Sequence, residues 1–145
     1  MRVRLLDEHE GLDAAAQVLR QLRPQFTQEA LIAQICHQRT TAGYQLAIAS
    51  DAGGTVLCVA GFVIQTKLAW GKSLYVDDLV TDAQARSAGA GQCMMDWLKA
   101  YACSLGCRQL HLDSGVQRFD AHRFYLREGF RIASHHFSLD LDGDH

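Results

Sequence analysis

Read along its apolar positions, the chain alternates extended segments with helical runs. Val3 to Leu6 predicts a short strand, and Glu8 to Leu22 carries apolar residues at 12, 15, 16, 19 and 22, the spacing of one helix face. Pro24 ends that helix, because its ring removes a backbone donor and crowds the preceding turn. Thr27 can cap a second helix that carries Leu31, Ile32 and Ile35 on one side and stops before Gly43. Tyr44 to Ser50 predicts a strand, Asp51 to Gly54 a hairpin turn, and Thr55 to Thr66 the returning strand. Within it Val56 to Ile64 is apolar on both faces, as a central strand covered on both sides would be.

The alternation of strands and helices then continues. Ser73 to Thr81 predicts another strand, followed by a glycine-bearing turn over Arg86 to Gly91 and a helix with Met94, Trp97, Leu98, Tyr101 and Leu105 on one stripe. Those large side chains read as core, and Gly106 as the stop. Arg108 to Asp113 predicts a strand, Gln117 to Glu128 a helix ending at Gly129, and Phe130 to Leu141 a final strand. No repeat or linker interrupts this order, which predicts a single domain over residues 1–145 with a mixed sheet and helices on both faces.

Composition narrows the class. With 145 residues, 48% of them apolar and 21% charged, the chain can bury a substantial core and does not read as disordered. A net charge of −2 argues against a general nucleic-acid binder, so a charged ligand must be met locally. No apolar run approaches the ~20 residues of a membrane span, and the amino terminus is too soon acidic for a secretory signal, so a cytoplasmic location away from membranes is expected. The five cysteines lie mostly inside apolar periodic segments and predict reduced, buried thiols. No metal is expected: His135 and His136 are strand neighbours that face opposite sides, and Cys103 and Cys107 lack a matching ligand pair. Asp113-Ser114 lacks the glycine-flanked elbow of a serine hydrolase.

The candidate chemistry sits in the glycine turn. The first N–H groups of a helix have no partner within it, and the helix dipole puts partial positive charge there, so phosphate is a natural guest. Glycines at 89 and 91 keep side chains off that backbone, and Arg86 adds a second source of positive charge. A dinucleotide fingerprint would need glycine where Met94 stands, and a P-loop would need Lys-Ser/Thr where Gln92-Cys93 stands. The guest predicted is a phosphate diester or pyrophosphate. Taken alone, Arg-x-x-Gly-x-Gly also fits two glycines used only for close packing.

A second signature removes that ambiguity. Ala121, Phe124, Tyr125, Gly129 and Phe130 complete Ala-x-x-Phe-Tyr-x-x-x-Gly-Phe, and with Arg86, Gly89 and Gly91 the chain resembles the GNAT family of acyl-CoA-dependent N-acetyltransferases. The stretch from Arg118 to Phe130 is similar to that of aminoalkylphosphonate N-acetyltransferases, and Asp77-Asp78 to an acidic pair of glucosamine-phosphate acetyltransferases. The resemblance implies an α/β (α+β) GNAT acyltransferase fold with about six to seven strands and helices on both faces. It implies transfer of an acetyl group from acetyl-CoA to a primary amine of a small molecule or peptide, by direct attack in a ternary complex. It leaves homodimerisation through the C-terminal strands open, as well as a non-catalytic acyl-CoA sensor or partner domain.

Residue roles follow from the same resemblance. Backbone at Leu79, Val80 and Thr81 would pair with the pantetheine arm like an added strand, and Arg86, Ser87, Ala88, Gly89, Ala90 and Gly91 would cradle the pyrophosphate. Tyr125 matches the tyrosine that donates a proton to the departing thiolate; a phenol near ~10 and a thiol near ~8.5 are well matched for that transfer. Many members carry Asn where this chain has Arg118, so Arg118 would instead reach a cofactor phosphate or an anionic acceptor group, as Arg23 would the acceptor.

An alkylammonium of pKa ~10.4 is neutral about once in two thousand at pH 7, a penalty of roughly 4–5 kcal/mol that a nearby base or orienting carboxylate would reduce. Asp77 and Asp78 are the candidates. Strict alternation puts Asp77 on the face of Tyr75, Leu79 and Thr81, and Asp78 on that of Val76 and Val80. Asp77 occupies the register in which related acetyltransferases place such a group. An aspartate near ~3.9 is a poor direct base, so it would orient the amine or act through water.

Overall fold

The computed structural model describes residues 1–7, 10–86 and 88–142. The chain forms two compact units, one over Met1–Leu112 and a second from Asp113 onward. In the first, β1 (Arg2–Leu5), β2 (Gln45–Ser50), β3 (Val56–Lys67), β4 (Gly71–Thr81) and β5 (Gln109–Leu112) form a five-stranded sheet in that spatial order. Pairing is antiparallel from β1 to β4, and β5 joins β4 in parallel. Three helices complete the unit: α1 (Leu12–Leu22), α2 (Gln28–Ala42) and α3 (Ala90–Ser104).

Helices cover both faces, and strand alternation shows how. Leu46 and Ile48 of β2 join the core beneath α1 and α2, with Leu19, Leu31 and Ile35, while Ala47 and Ala49 turn to the core beneath α3, with Met94 and Leu98. β3 is the covered central strand that its two-sided apolar run predicts. Each fully buried Leu or Phe contributes about 1.5–3 kcal/mol by leaving water, and Phe62, packed against the rings of Trp97 and Tyr101, anchors α3 to the sheet.

Local signals set the helix boundaries. Thr27 caps α2 by accepting a hydrogen bond from Ala30 N–H at 3.1 Å, and Gly43 ends it in the left-handed region. α1 begins later than its periodicity suggests, after Gly11; the Glu8 and His9 part of the expected helix lies outside the described residues.

The second unit holds α4 (Phe119–Arg127) and, among the described residues, no strand. The strand expected over Phe130–Leu141 is therefore corrected, and among the described residues the sheet has five strands rather than six to seven. Alternation proposes a strand, but a strand exists only where a neighbouring edge supplies its hydrogen bonds, and no ladder includes residues 130–141. Among the described residues, no helix is long and apolar enough to cross a membrane.

Candidate functional site

The β4–β5 ladder runs only from Ser73↔Gln109 to Val76↔Leu112. β4 continues from Asp77 to Thr81 with β3 on one side, through Asp78↔Gly61, Leu79↔Ala60, Val80↔Val59 and Thr81↔Cys58, and, among the described residues, no strand on the other. Leu79, Val80 and Thr81 thus lie where the sheet opens. Backbone groups along such an edge seek partners, and an extended ligand can supply them.

The chain leaves this edge toward α3. Asp82 N–H bonds back to Leu57 O at 2.8 Å, and the Asp82 carboxylate caps a short 3-10 turn over Ala83–Ala85 by accepting from Gln84 N–H at 3.1 Å. Arg86 follows, exposed, and then Ala88 and Gly89; Ser87 lies outside the described residues. Gly89 is the N-cap of α3 at φ 80°, in the left-handed region that favours glycine, and it offers no side-chain cap. The first bond of the helix runs from Cys93 N–H to Gly89 O at 3.0 Å. A β-carbon placed on Gly89 meets nothing within 4 Å, so the space above the helix start is open. On Gly91 it would touch Thr81 Oγ1 at 3.5 Å, which ties the helix start to the end of β4.

The acidic pair lies on a β-bulge. Gly61 pairs with Asp78 and Phe62 with Val76, so Asp77 is the extra residue. This corrects the face assignment made by strict alternation. Leu74 and Val76 pack beneath α3, and past Asp77 the phase reverses: Leu79 turns beneath α3, whereas Val80 packs with the α1–α2 core. Asp78 joins Val80 and Tyr75 on the α1 face, not Val76.

On that face both oxygens of Asp78 are held. Tyr44 Oη donates to Oδ2 at 2.7 Å and Arg23 Nε donates to Oδ1 at 2.9 Å, while Arg23 Nη2 donates to the Asp77 carbonyl at 3.1 Å. The Asp78 side chain is only 15% exposed, so the pair has more weight than a surface ion pair. Burial first, and then the Asp78 carboxylate, hold the Tyr44 phenol far above its usual range, so Tyr44 remains a donor. Gly61 makes room for it: a β-carbon there would lie 1.7 Å from Tyr44 Oη. Asp77 itself is exposed on the bulge.

Beneath the same edge Thr81 Oγ1 donates to Cys58 Sγ at 3.6 Å, and burial pushes the Cys58 thiol up to about 11. No cysteine is in a disulfide; Cys58 is buried, whereas Cys103 is exposed, unlike the buried state expected of these thiols.

The remaining predicted residues belong to the second unit. Arg118 is the N-cap of α4, with no side-chain cap bond. Tyr125 lies in α4 between Phe124 and Phe130, with ring centroids at 5.6 and 5.8 Å in edge-to-face arrangements. Among the described residues no group of three or more His, Cys, Asp or Glu could hold a metal ion.

Sequence reasoning gave Tyr44 and Gly61 no role, and gave Arg23 only a loose one. A signal existed for Gly61: an isolated glycine inside an apolar strand marks a bulge or a close approach. Nothing local pointed to Tyr44 or to Arg23 as its neighbour, because their meeting with Asp78 spans 34 and 55 residues of sequence.

An uncharacterized N-acetyltransferase, YhdJ, of Bacillus subtilis (strain 168) is 37% identical over 83 residues, 57% of this chain and 58% of that protein. An aminoalkylphosphonate N-acetyltransferase of Salmonella typhimurium (strain LT2) is 32% identical over 66 residues, 46% of this chain and 43% of that protein. The matched stretch thus spans about half the length of each of these two relatives. The crystal structure of an acetyltransferase from Trypanosoma brucei superposes with a TM-score of 0.76 at 28% identity, covering 97% of this chain and 99% of that one. The sequence pattern of the Acetyltransferase (GNAT) family matches residues 12–130, from the start of α1 past the end of α4. That match takes in the open β4 edge, the glycine-capped helix and the Tyr125 signature, and the chain belongs to the GNAT acetyltransferase family.

Proposed function

We propose that the protein is an acetyl-CoA-dependent N-acetyltransferase that acetylates a primary amine of a small molecule or peptide in the cytoplasm, with residues 1–145 working as one domain. The observation that carries the reading is the open edge of β4, paired among the described residues on one side only from Asp77 to Thr81, which leads into a helix capped by a left-handed glycine. That edge offers main-chain partners to an extended amide-bearing arm, and the helix start beside Arg86 offers donors and positive charge to a pyrophosphate. The residues present therefore suit a CoA thioester. Family membership and the N-acetyltransferase relatives support the reaction class.

In this reading the backbone of Leu79, Val80 and Thr81 holds the pantetheine arm. Arg86, Ser87, Ala88, Gly89, Ala90 and Gly91 hold the pyrophosphate, and Arg118 contacts a phosphate or an anionic group of the acceptor. The bound thioester supplies the acetyl group. The amine nitrogen attacks the carbonyl carbon, a C–N bond forms and the C–S bond breaks; the amine proton leaves to water near Asp77, and Tyr125 donates its phenolic proton to the thiolate. Asp77 orients the amine from the bulge. Asp78, with both oxygens held, supports the bulge rather than meeting the amine.

Isothermal titration with acetyl-CoA, followed by a thiol-release screen across amines, tests this. Binding with amine-dependent thiol release is expected. Binding without release from a broad amine panel would favour a CoA-binding partner domain, and no binding would overturn the reading.

A further inference from the structure

The end of α1 grips the bulged strand at two points. Gln21 donates to Asp82 Oδ1 at 3.3 Å and accepts from Ala83 N–H at 2.9 Å, beyond the end of the open edge. Arg23 holds the other end, with Nε on Asp78 Oδ1 and Nη2 on the Asp77 carbonyl. Leu79 to Thr81 lie between these grips. A bulge is a local interruption of the ladder, and its residues are freer to rotate than paired ones unless something fixes them. Here a single guanidinium fixes two adjacent groups: the side chain of Asp78 and the backbone carbonyl of Asp77.

We propose that Arg23 is a positioning residue for acetyl transfer: through the Asp78 carboxylate and the Asp77 carbonyl it locks the β4 bulge and so fixes the direction in which Asp77 meets the acceptor amine. The inference rests on the acetyltransferase reading above. It assigns Arg23 to the acceptor side of the reaction, and Tyr44 acts with it by holding the second oxygen of Asp78. Arginine suits the task because its planar fork reaches two acceptors at fixed spacing; a lysine ammonium at the end of a flexible stem reaches one.

The experiment compares wild type with Arg23→Ala, Arg23→Lys and Asp78→Asn by steady-state kinetics, acetyl-CoA titration and thermal melting, on the full chain well below the melting temperature. For Arg23→Ala, kcat/KM for the amine should fall between about tenfold and a hundredfold, the cost of a misplaced reacting group. The acetyl-CoA Kd should stay within about twofold of wild type, since the pyrophosphate turn is untouched. Arg23→Lys should recover part of the loss. Asp78→Asn should lower the same constant, and combining it with Arg23→Ala should cost little more than either alone, because both act through one bulge.

A purely structural role would lower the melting temperature and weaken acetyl-CoA binding together with activity, and that pattern overturns the proposal. So does an Arg23→Ala enzyme as active as wild type when the wild type releases thiol with amines. A wild type that releases none with any amine removes the acetyltransferase reading, and this inference with it.

Discussion

Gly61→Ala is the substitution whose effect follows most directly from the geometry. The added β-carbon would lie 1.7 Å from Tyr44 Oη, 2.4 Å from Cζ and 2.9 Å from Cε1, all far inside van der Waals contact. Tyr44 is 4% exposed and its hydroxyl donates to Asp78 at 2.7 Å, so the ring end cannot yield without breaking that bond. Overpacking costs about 1–3 kcal/mol and loss of a hydrogen bond to a charged group about 1.5–3 kcal/mol, offset by roughly 0.5–1 kcal/mol from replacing a strand glycine. The net expectation is roughly 2–5 kcal/mol of destabilisation, a large part of the ~5–15 kcal/mol typical of a folded domain. Equilibrium urea denaturation at pH 7 on the four corners of a cycle with Tyr44→Leu measures it. Leucine ends short of the ring's far atoms, so Gly61→Ala should then cost less than about 1 kcal/mol. Equal cost of Gly61→Ala in both backgrounds would show that Tyr44 is not what Gly61 accommodates, and the reasoning would fail.

Further outcomes follow from other parts of the site. Gly89→Val forces a β-branched residue into φ 80°, costs about 1–2 kcal/mol and projects into the open space over the helix start, so acetyl-CoA affinity measured by titration should fall on the order of tenfold; unaltered affinity would remove the anion site. Tyr125→Phe should lower kcat about a hundredfold or more while leaving acetyl-CoA Kd nearly intact, and unchanged turnover would end its role as the acid. Alkaline stability should decline early. Cys58 is raised from 9.0 to about 11 in the folded state, so the fold binds this proton more tightly than the unfolded chain. That contribution, about 2–3 kcal/mol, is complete below pH 9 and is lost as pH rises toward 11; Tyr44, also raised, acts in the same direction from higher pH. Urea midpoints between about pH 8.5 and 10 should fall for wild type and fall less for Cys58→Ala; parallel declines would refute the assignment.

Much of the arrangement was written locally. The periodicities of α1, α2 and α3, the cap at Thr27, the stop at Gly43 and the two-sided apolar run of β3 depend on residues a few positions apart, and these four elements formed. The glycine turn was legible for the same reason, since left-handed φ at Gly89 and a helix start with no side-chain cap are properties of neighbouring residues. The Phe130–Leu141 stretch shows the limit of such reading, because a strand depends on an edge that its own alternation cannot supply.

The bulge marks the boundary between the two kinds of information. Asp77-Asp78 was recognisable in the sequence as candidate chemistry, yet strict alternation assigned Asp78 to the wrong face, because a one-residue bulge reverses every side chain beyond it. What places the bulge is a meeting of residues far apart in the chain: Gly61 vacates space, Tyr44 fills it, and Arg23 closes on Asp78 from the end of α1. The sequence by itself determined the order of elements as far as α4 and the glycine-capped start of α3, because backbone preferences act over a few residues. Only the tertiary structure decided which face Asp78 takes and what holds it, because Arg23 at the end of α1 and Tyr44 just before β2 become its neighbours only in the packed fold.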